Sequence, residues 1–391
     1  MPRKILMVGW EYPPHNSGGL GVACQGIVEN LVDNGEIVTL VLPGILSEGQ
    51  VQKESRKTPR GNTYNVIIVH SVLRPYVGLD GVAYSGELMH DVAEYAKIVA
   101  KAVEEIDFDL IHAHDWLTVP AATAIKEKFN KPLVWHVHSL EYDRTAGTGK
   151  NKEIGAIEKK GVLLSDLVIT VSAYTKQILV KEYGIAANKI VVVHNGVESV
   201  KENEIIDDDF LKGSPVIIFV GRLTIQKGPE YFIQVARGVI NERPEAVFIF
   251  AGDGEMMQRL LLTSAYKNLS GSVLFAGFLR DIAKEKLYNR ADIFMMPSVS
   301  EPFGIVALEA AMANTPVIVS KTSGVAEVLP SAIQIDFWDI EVMVKKVLEL
   351  IEQTDYKRDL GERLKNEAGA VTWGKTAIKI REAYCQLLKT T

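Results

Sequence analysis

Cysteine is scarce: Cys24 and Cys385 are the only two in 391 residues, and they lie near opposite ends. That excludes a disulfide framework and a four-cysteine zinc site. Long apolar runs are lacking as well. No stretch approaches the ~18 uninterrupted apolar residues that would span a bilayer. The start, Met1-Pro2-Arg3-Lys4, is basic, but the apolar stretch behind it ends at Glu11, too short for a secretion signal. There is no excess of positive charge either. Lys+Arg 43 against Asp+Glu 49 leaves −6, so nothing general draws the chain to nucleic acid. Repeats and low-complexity tracts are absent. What remains is an ordinary globular composition, 47% hydrophobic and 24% charged. The expectation is a cytoplasmic protein of about two to three domains, at about 150 residues per domain.

Short β-rich apolar runs recur in two series. The first comprises residues 4–8, 38–42, 64–69, 110–112, 133–138, 167–171 and 190–193. The second comprises 216–220, 247–251, 273–276, 293–296, 317–320 and 332–335. The runs are continuous rather than alternating, as strands buried on both faces require. Helical-length segments separate them, which predicts an α/β chain of parallel sheets covered by helices. The polar stretch 198–213, with Asp207-Asp208-Asp209, breaks the series and reads as a solvated linker. Two Rossmann-like, doubly wound domains follow, 1–200 and 213–371, with a further helix at 372–389 whose partner the pattern leaves open.

In such sheets ligands collect beyond the carboxyl ends of the strands. After the first run comes Trp10-Glu11-Tyr12-Pro13-Pro14-His15-Asn16-Ser17-Gly18-Gly19-Leu20-Gly21. Its paired glycines open a helix, either to admit a phosphate or sugar to the backbone or to make a tight turn. G-x-G-x-x-G itself is absent. The fourth and fifth runs end in His112-Ala113-His114-Asp115-Trp116 and His136-Val137-His138-Ser139. Residues i and i+2 of a strand share a face, so each histidine pair points one way. Metal ligation is one reading; packed or substrate-contacting histidines are the other.

The run 216–220 leads into Gly221-Arg222-Leu223-Thr224-Ile225-Gln226-Lys227-Gly228-Pro229. Arg222 and Lys227, five apart at a strand's carboxyl end, suit a diphosphate, Arg as a bidentate fork and Lys as a point charge. Two solvated loop cations would be the alternative. Farther on, Glu301-Pro302-Phe303-Gly304-Ile305-Val306 opens a helix that carries Glu309. The amides of its first turn form an anion site. Glu301 and Glu309 would repel that anion, so gripping hydroxyls of a sugar or ribose explains them better.

Three patterns mislead. Gly369–Thr376 fits G-x-x-x-x-G-K-T, but a polar helical segment precedes it where a phosphate loop needs a buried strand. Asp107-Phe108-Asp109 resembles a metal-binding D-x-D but falls at the amino edge of its strand. Gly252-Asp253-Gly254-Glu255 is a glycine turn at a strand end, placed to line a nucleotide pocket but weak by itself.

The order G-G-L-G, H-D-W, H-x-H-S, V-S-x-x-T, H-N-G-V, G-R-L-x-x-x-K-G, G-D-G, E-P-F-G-x-x-x-L-E-A resembles the retaining glycosyltransferases of the GT-B fold, family 4 type. Gly18–Gly21 and His114-Asp115-Trp116 also look like glycogen and starch synthases. The resemblance spans residues 5 to 385. It implies two Rossmann-like domains facing each other across a cleft, an acceptor-side 1–200 and a nucleotide-sugar-binding 213–371, with helix 372–389 returning to the first. It implies that Arg222 and Lys227 neutralise a diphosphate and that Glu301 contacts the donor sugar. The amides of Gly304, Ile305 and Val306 would meet a phosphate, and Glu309 the ribose. His138 would lie near the sugar's C6 hydroxyl, Asp115 at the sugar or acceptor, and Gly18 and Gly19 in a loop over the phosphates.

The implied reaction is metal-independent, cofactor-free transfer of a hexose, glucose by preference, from an ADP- or UDP-linked donor to a glucan or oligosaccharide. A lipid-linked or cell-envelope acceptor is the alternative. A phosphorylase, an epimerase, a two-carboxylate glycosidase or a non-catalytic binder stand further off. Trp10, Tyr12, His15, Trp116 and Tyr142 are expected to line an acceptor mouth. The lysines of 150–160, interrupted by Glu153 and Glu158, read as a solvated helix rather than a membrane patch. Ser17 stands where synthases carry the lysine of K-T-G-G-L, a departure from their pattern.

Overall fold

The computed structural model describes all residues but 1, 16–17, 48, 72, 74–87, 148, 150, 199–210, 212 and 391. Ser17, Lys150 and the triple aspartate 207–209 therefore lie outside the described residues. The chain divides into two compact units: Met1–Tyr142 with Gly149–Gly196 and Trp373–Thr391, and Asp143–Thr148 with Val197–Thr372.

The first unit runs β1 (Lys4–Val8), α1 (Gly19–Asp33), β2 (Ile37–Gly44), β3 (Val51–Lys57), β4 (Thr63–His70), α2 (Leu88–Ala102), β5 (Leu110–His114) and α3 (Asp115–Phe129). It continues with β6 (Leu133–Val137), α4 (Glu141–Arg144), α5 (Lys152–Leu164), β7 (Leu167–Thr170), α6 (Ala173–Tyr183) and β8 (Ile190–Val192). One sheet orders them β3-β4-β2-β1-β5-β6-β7-β8. Every residue of β5 and β6 is buried, which is why these runs lack polar alternation.

Each strand read from the sequence is present to within two residues. The expectation of purely parallel sheets needs one correction. β3, Val51-Gln52-Lys53-Glu54-Ser55-Arg56-Lys57, pairs antiparallel with β4 at the sheet edge. It is mostly exposed, and its charges suit an edge that must not recruit another strand. It had no apolar run to reveal it.

The second unit runs β9 (Val216–Val220), α7 (Pro229–Glu242), β10 (Val247–Ala251), α8 (Met257–Tyr266), β11 (Val273–Gly277), α9 (Asp281–Arg290), β12 (Ile293–Met296), α10 (Ile305–Met312), β13 (Val317–Ser320), β14 (Ile333–Ile335), α11 (Ile340–Glu352) and α12 (Thr354–Gly369). Its sheet is parallel throughout, ordered β11-β10-β9-β12-β13-β14. Strand order reverses between β9 and β12 here and between β1 and β5 in the first unit. Those reversals open the crevices where doubly wound sheets bind ligands.

The last helix, α13 (Trp373–Thr390), belongs to the first unit. Arg381 Nε donates to Glu36 Oε1 at 2.7 Å, and Arg3 bonds the same carboxylate. Burial alone would raise the Glu36 pKa, but the bonds from Arg3 and Arg381 hold it below the usual carboxylate range. Tyr384 is fully buried and its hydroxyl meets His112 Nδ1 at 2.5 Å. The Trp373 ring lies so close to Gly26 of α1 that a Cβ there would stand 2.3 Å from the indole. Gly26→Val should therefore cost about 1–3 kcal/mol through overpacking, read as a lower urea midpoint. An unchanged midpoint would contradict the packing of α13 on α1.

Candidate functional site

In the second unit the loops after β9 and β12 meet at the point of reversal. A 3-10 turn, Ile225–Lys227, ends the first of them, and Pro229 takes the first position of α7. Gln226, buried, donates from Nε2 to the Ser300 carbonyl at 3.1 Å, and the Val299 N–H donates to the Gln226 carbonyl at 2.8 Å. This stitching brings Lys227 Nζ to 2.5 Å from Glu301 Oε2. Ser298 Oγ donates to the same oxygen at 3.4 Å. Glu301 is fixed through its backbone as well, since its N–H reaches the Thr322 carbonyl and its carbonyl accepts from Gly324, each at 2.9 Å. Arg222, partly exposed, opens the same loop. The Gly252–Glu255 turn supports that loop: the Leu223 N–H donates to the Asp253 carbonyl at 2.9 Å.

Gly304 caps α10 with φ +105°, and a Cβ on it would lie 2.7 Å from Met296 Cε. Only glycine fits that position without strain. The Ala307 N–H bonds back to the Gly304 carbonyl at 3.0 Å. The amides of Ile305 and Val306 head the helix, where no intrahelical acceptor exists and the dipole is positive. Glu309, one turn on, is held by Lys284 Nζ at 2.7 Å and by the Tyr288 hydroxyl at 2.8 Å. Burial and the Glu309 charge push the Tyr288 pKa well up, so the phenol stays a donor. Sequence reasoning missed Lys284 and Tyr288. Their only signal is a spacing of four on α9, which any helix face can show.

The first unit gathers the remaining candidates. Asp115 starts α3 with φ +58°, a conformation that costs a non-glycine residue roughly 1–2 kcal/mol. Its Oδ1 accepts the N–H groups of His138 at 2.7 Å and Ser139 at 3.1 Å. The carboxylate thus shapes the backbone turn that carries His138. Gly18 is extended, and a Cβ there would meet nothing within 4 Å. Neither packing nor backbone demands that glycine, which leaves room for a ligand.

The four strand-end histidines form one stack. Ring centroids of His112 and His114 lie 4.5 Å apart, those of His136 and His138 4.3 Å, and those of His114 and His138 5.1 Å. His112 Nε2 meets His136 Nδ1 at 3.2 Å, and His114 Nδ1 meets His138 Nε2 at 2.9 Å. Burial pushes the His114 pKa down to about 3 and carries the other three in the same direction, assisted by neighbouring rings. All four are neutral near pH 7, so each ring carries one N–H and one bare nitrogen.

Several expectations are corrected here. Trp10 and Trp116 are core residues, 3% and 1% exposed, and Tyr12 is buried with its hydroxyl 2.9 Å from that of Tyr64. Their large apolar faces went inward; of the expected mouth, His15 is exposed and Tyr142 half-buried. Glu158 does not lie on a solvated face. It is fully buried, accepting the Glu141 N–H at 2.7 Å and the Tyr183 hydroxyl. The misleading patterns resolve as expected. Residues 369–376 join α12 to α13 with no strand before them, and Asp107 and Asp109 bond Lys4 at the amino edge of the sheet.

Two family models match the chain: "Glycosyltransferase Family 4" over residues 17–200 and "Glycosyl transferases group 1" over 186–367. The chain is 34% identical to an uncharacterised glycosyltransferase of Methanocaldococcus jannaschii, covering 83% of this chain and 82% of that one. It is 28% identical to a glycogen synthase of Mycobacterium tuberculosis, covering 83% and 79%. Among solved structures, sucrose-phosphate synthase from Thermosynechococcus elongatus superposes with a TM-score of 0.82 at 19% identity, covering 100% of both chains. HepE of Anabaena, in complex with UDP-glucose, gives 0.74 at 17% identity, covering 98% and 100%. At such identities the structures share the fold.

Proposed function

Because the chain belongs to the GT-B glycosyltransferases, family 4 type, we propose that it transfers a hexose, glucose by preference, from a nucleotide diphosphate sugar with retention of configuration. The observation that carries this reading is the Lys227–Glu301 pair set beside the amino end of α10 at the point of strand-order reversal. HepE's complex with UDP-glucose supports a nucleotide-sugar donor. Breaking the anomeric C–O bond leaves positive charge on the sugar and negative charge on the departing diphosphate. Arg222, Lys227 and the amides of Gly304, Ile305 and Val306 stabilise that anion without reorganising. Glu301 holds sugar hydroxyls, His138 the C6 hydroxyl, and Glu309, already oriented by Lys284 and Tyr288, the ribose. Asp115 contributes through the turn it caps. Glu301 and Glu309 each face a lysine, an arrangement that favours phosphate chemistry over a two-carboxylate glycosidase. Two protein cations and a helix end take the place of a divalent ion.

The acceptor we favour is a soluble glucan or oligosaccharide. The mycobacterial relative's name supports it. No described helix is long and apolar enough to cross a membrane. The test is labelled UDP-glucose or ADP-glucose with maltooligosaccharides, beside a lipid extract, with and without EDTA. Label should enter the oligosaccharides in α-linkage, at a rate EDTA leaves unchanged. Label confined to the lipid phase would overturn the acceptor. Loss of transfer with EDTA, restored by Mn²⁺ or Mg²⁺, would overturn metal independence.

A further inference from the structure

Among the described residues of the first unit, two triads bring ligand atoms within 4.8 Å of one another: His112, His114 and His136; and Cys24, His114 and His138. The first is committed elsewhere, because His112 spends Nδ1 on Tyr384 and Nε2 on His136. The second is different. Among the described residues His114 Nε2 and His138 Nδ1 are buried with no hydrogen-bond partner, and their other nitrogens meet only each other, 2.9 Å apart. Two nitrogens bound to one zinc at ~2.0–2.1 Å stand roughly 2.9–3.4 Å apart for angles between square and tetrahedral. Cys24, on α1 and 1% exposed, brings a sulfur to the same place. Burial and the charges of Asp115 and Glu11 raise its thiol pKa. Those same anions, both buried, would stabilise a dication.

The geometry points to a binding site for a zinc-class divalent ion formed by Cys24, His114 and His138, the ion replacing the hydrogen bond between the two imidazoles. One thiolate with two neutral imidazoles is a borderline-soft set that suits Zn²⁺ or Co²⁺ and leaves a fourth position open. Binding moves one proton, from the Cys24 thiol to solvent, since the imidazoles are already neutral. The ion is not needed for transfer.

With two cysteines in the chain, the test is direct. The reduced, full-length protein is titrated with Co²⁺ alone, then with Zn²⁺. One equivalent of Co²⁺ should produce a near-ultraviolet sulfur-to-cobalt charge-transfer band that one equivalent of Zn²⁺ abolishes. Cys24→Ser should lose the band, and Cys385→Ser should keep it, with unchanged circular dichroism in both. Absence of the band, or its survival in Cys24→Ser, would overturn the site. If Cys24→Ser fails to fold, His114→Gln carries the same test.

Discussion

Arg222→Ala and Lys227→Ala should each lower kcat by roughly 10²-fold or more, the usual cost of removing one preorganised donor to a developing anion. The effect belongs in kcat because the diphosphate gains charge only as the anomeric bond breaks. The two variants should differ in stability. Lys227 faces Glu301, whose side chain is only 6% exposed, so Lys227→Ala leaves that carboxylate uncompensated and should lower the melting temperature. Glu301→Gln combined with Lys227→Ala should restore melting but not turnover. Arg222→Lys keeps the charge and loses the bidentate fork, so it should recover only part of the rate. Wild-type turnover in either alanine variant would remove the loop from the phosphate site.

Gly304→Val should be nearly as damaging by another route. The position needs φ +105°, which a β-branched residue resists. A Cβ there also meets Met296 Cε at 2.7 Å and Glu301 Cγ at 3.3 Å. The head of α10 and the Glu301 side chain must both shift, and misplacement by about 1 Å can cost 10²-fold. Donor kcat/KM should fall by about that factor, with a stability loss of about 1–3 kcal/mol. Gly18→Ala is the contrast, since its extended backbone and open surroundings predict unchanged melting. A Gly304→Val enzyme with normal donor kcat/KM would show that α10 need not be held where Met296 and Glu301 hold it.

The sheets were legible because strands buried on both faces must be apolar throughout, and every such run became a strand. β3 escaped because an exposed edge needs no apolar residue, only pairing on one side. The loop after β9 and the head of α10 were legible as candidates from Arg222, Lys227 and Gly304, where charge or backbone geometry narrows the choice of residue. The support of Glu309 by Lys284 and Tyr288 was not, since ordinary residues on another helix make it. Trp10 and Trp116 were misread because position after a strand says where a residue starts, whereas the apolar area of an indole decides where it ends. Asp115 was read as a contact for sugar or acceptor; its bonds to two backbone amides emerge only once β5 and β6 lie side by side.

The placement of α13 has a consequence for biosynthesis. The first unit is not one stretch of chain: its core includes Trp373 and Tyr384, which leave the ribosome after the whole of the second unit. Apart from Asp143–Thr148, the second unit is continuous from Val197 to Thr372 and is fully synthesised earlier. The usual vectorial order, in which the amino-terminal domain matures first, is therefore inverted. Until Arg381 reaches Glu36 and Tyr384 reaches His112, the nascent first unit exposes the α1 surface around Gly26 that Trp373 will cover. A chain stalled near residue 370 would carry a finished second unit and an unsealed first one, the form a quality-control protease would meet.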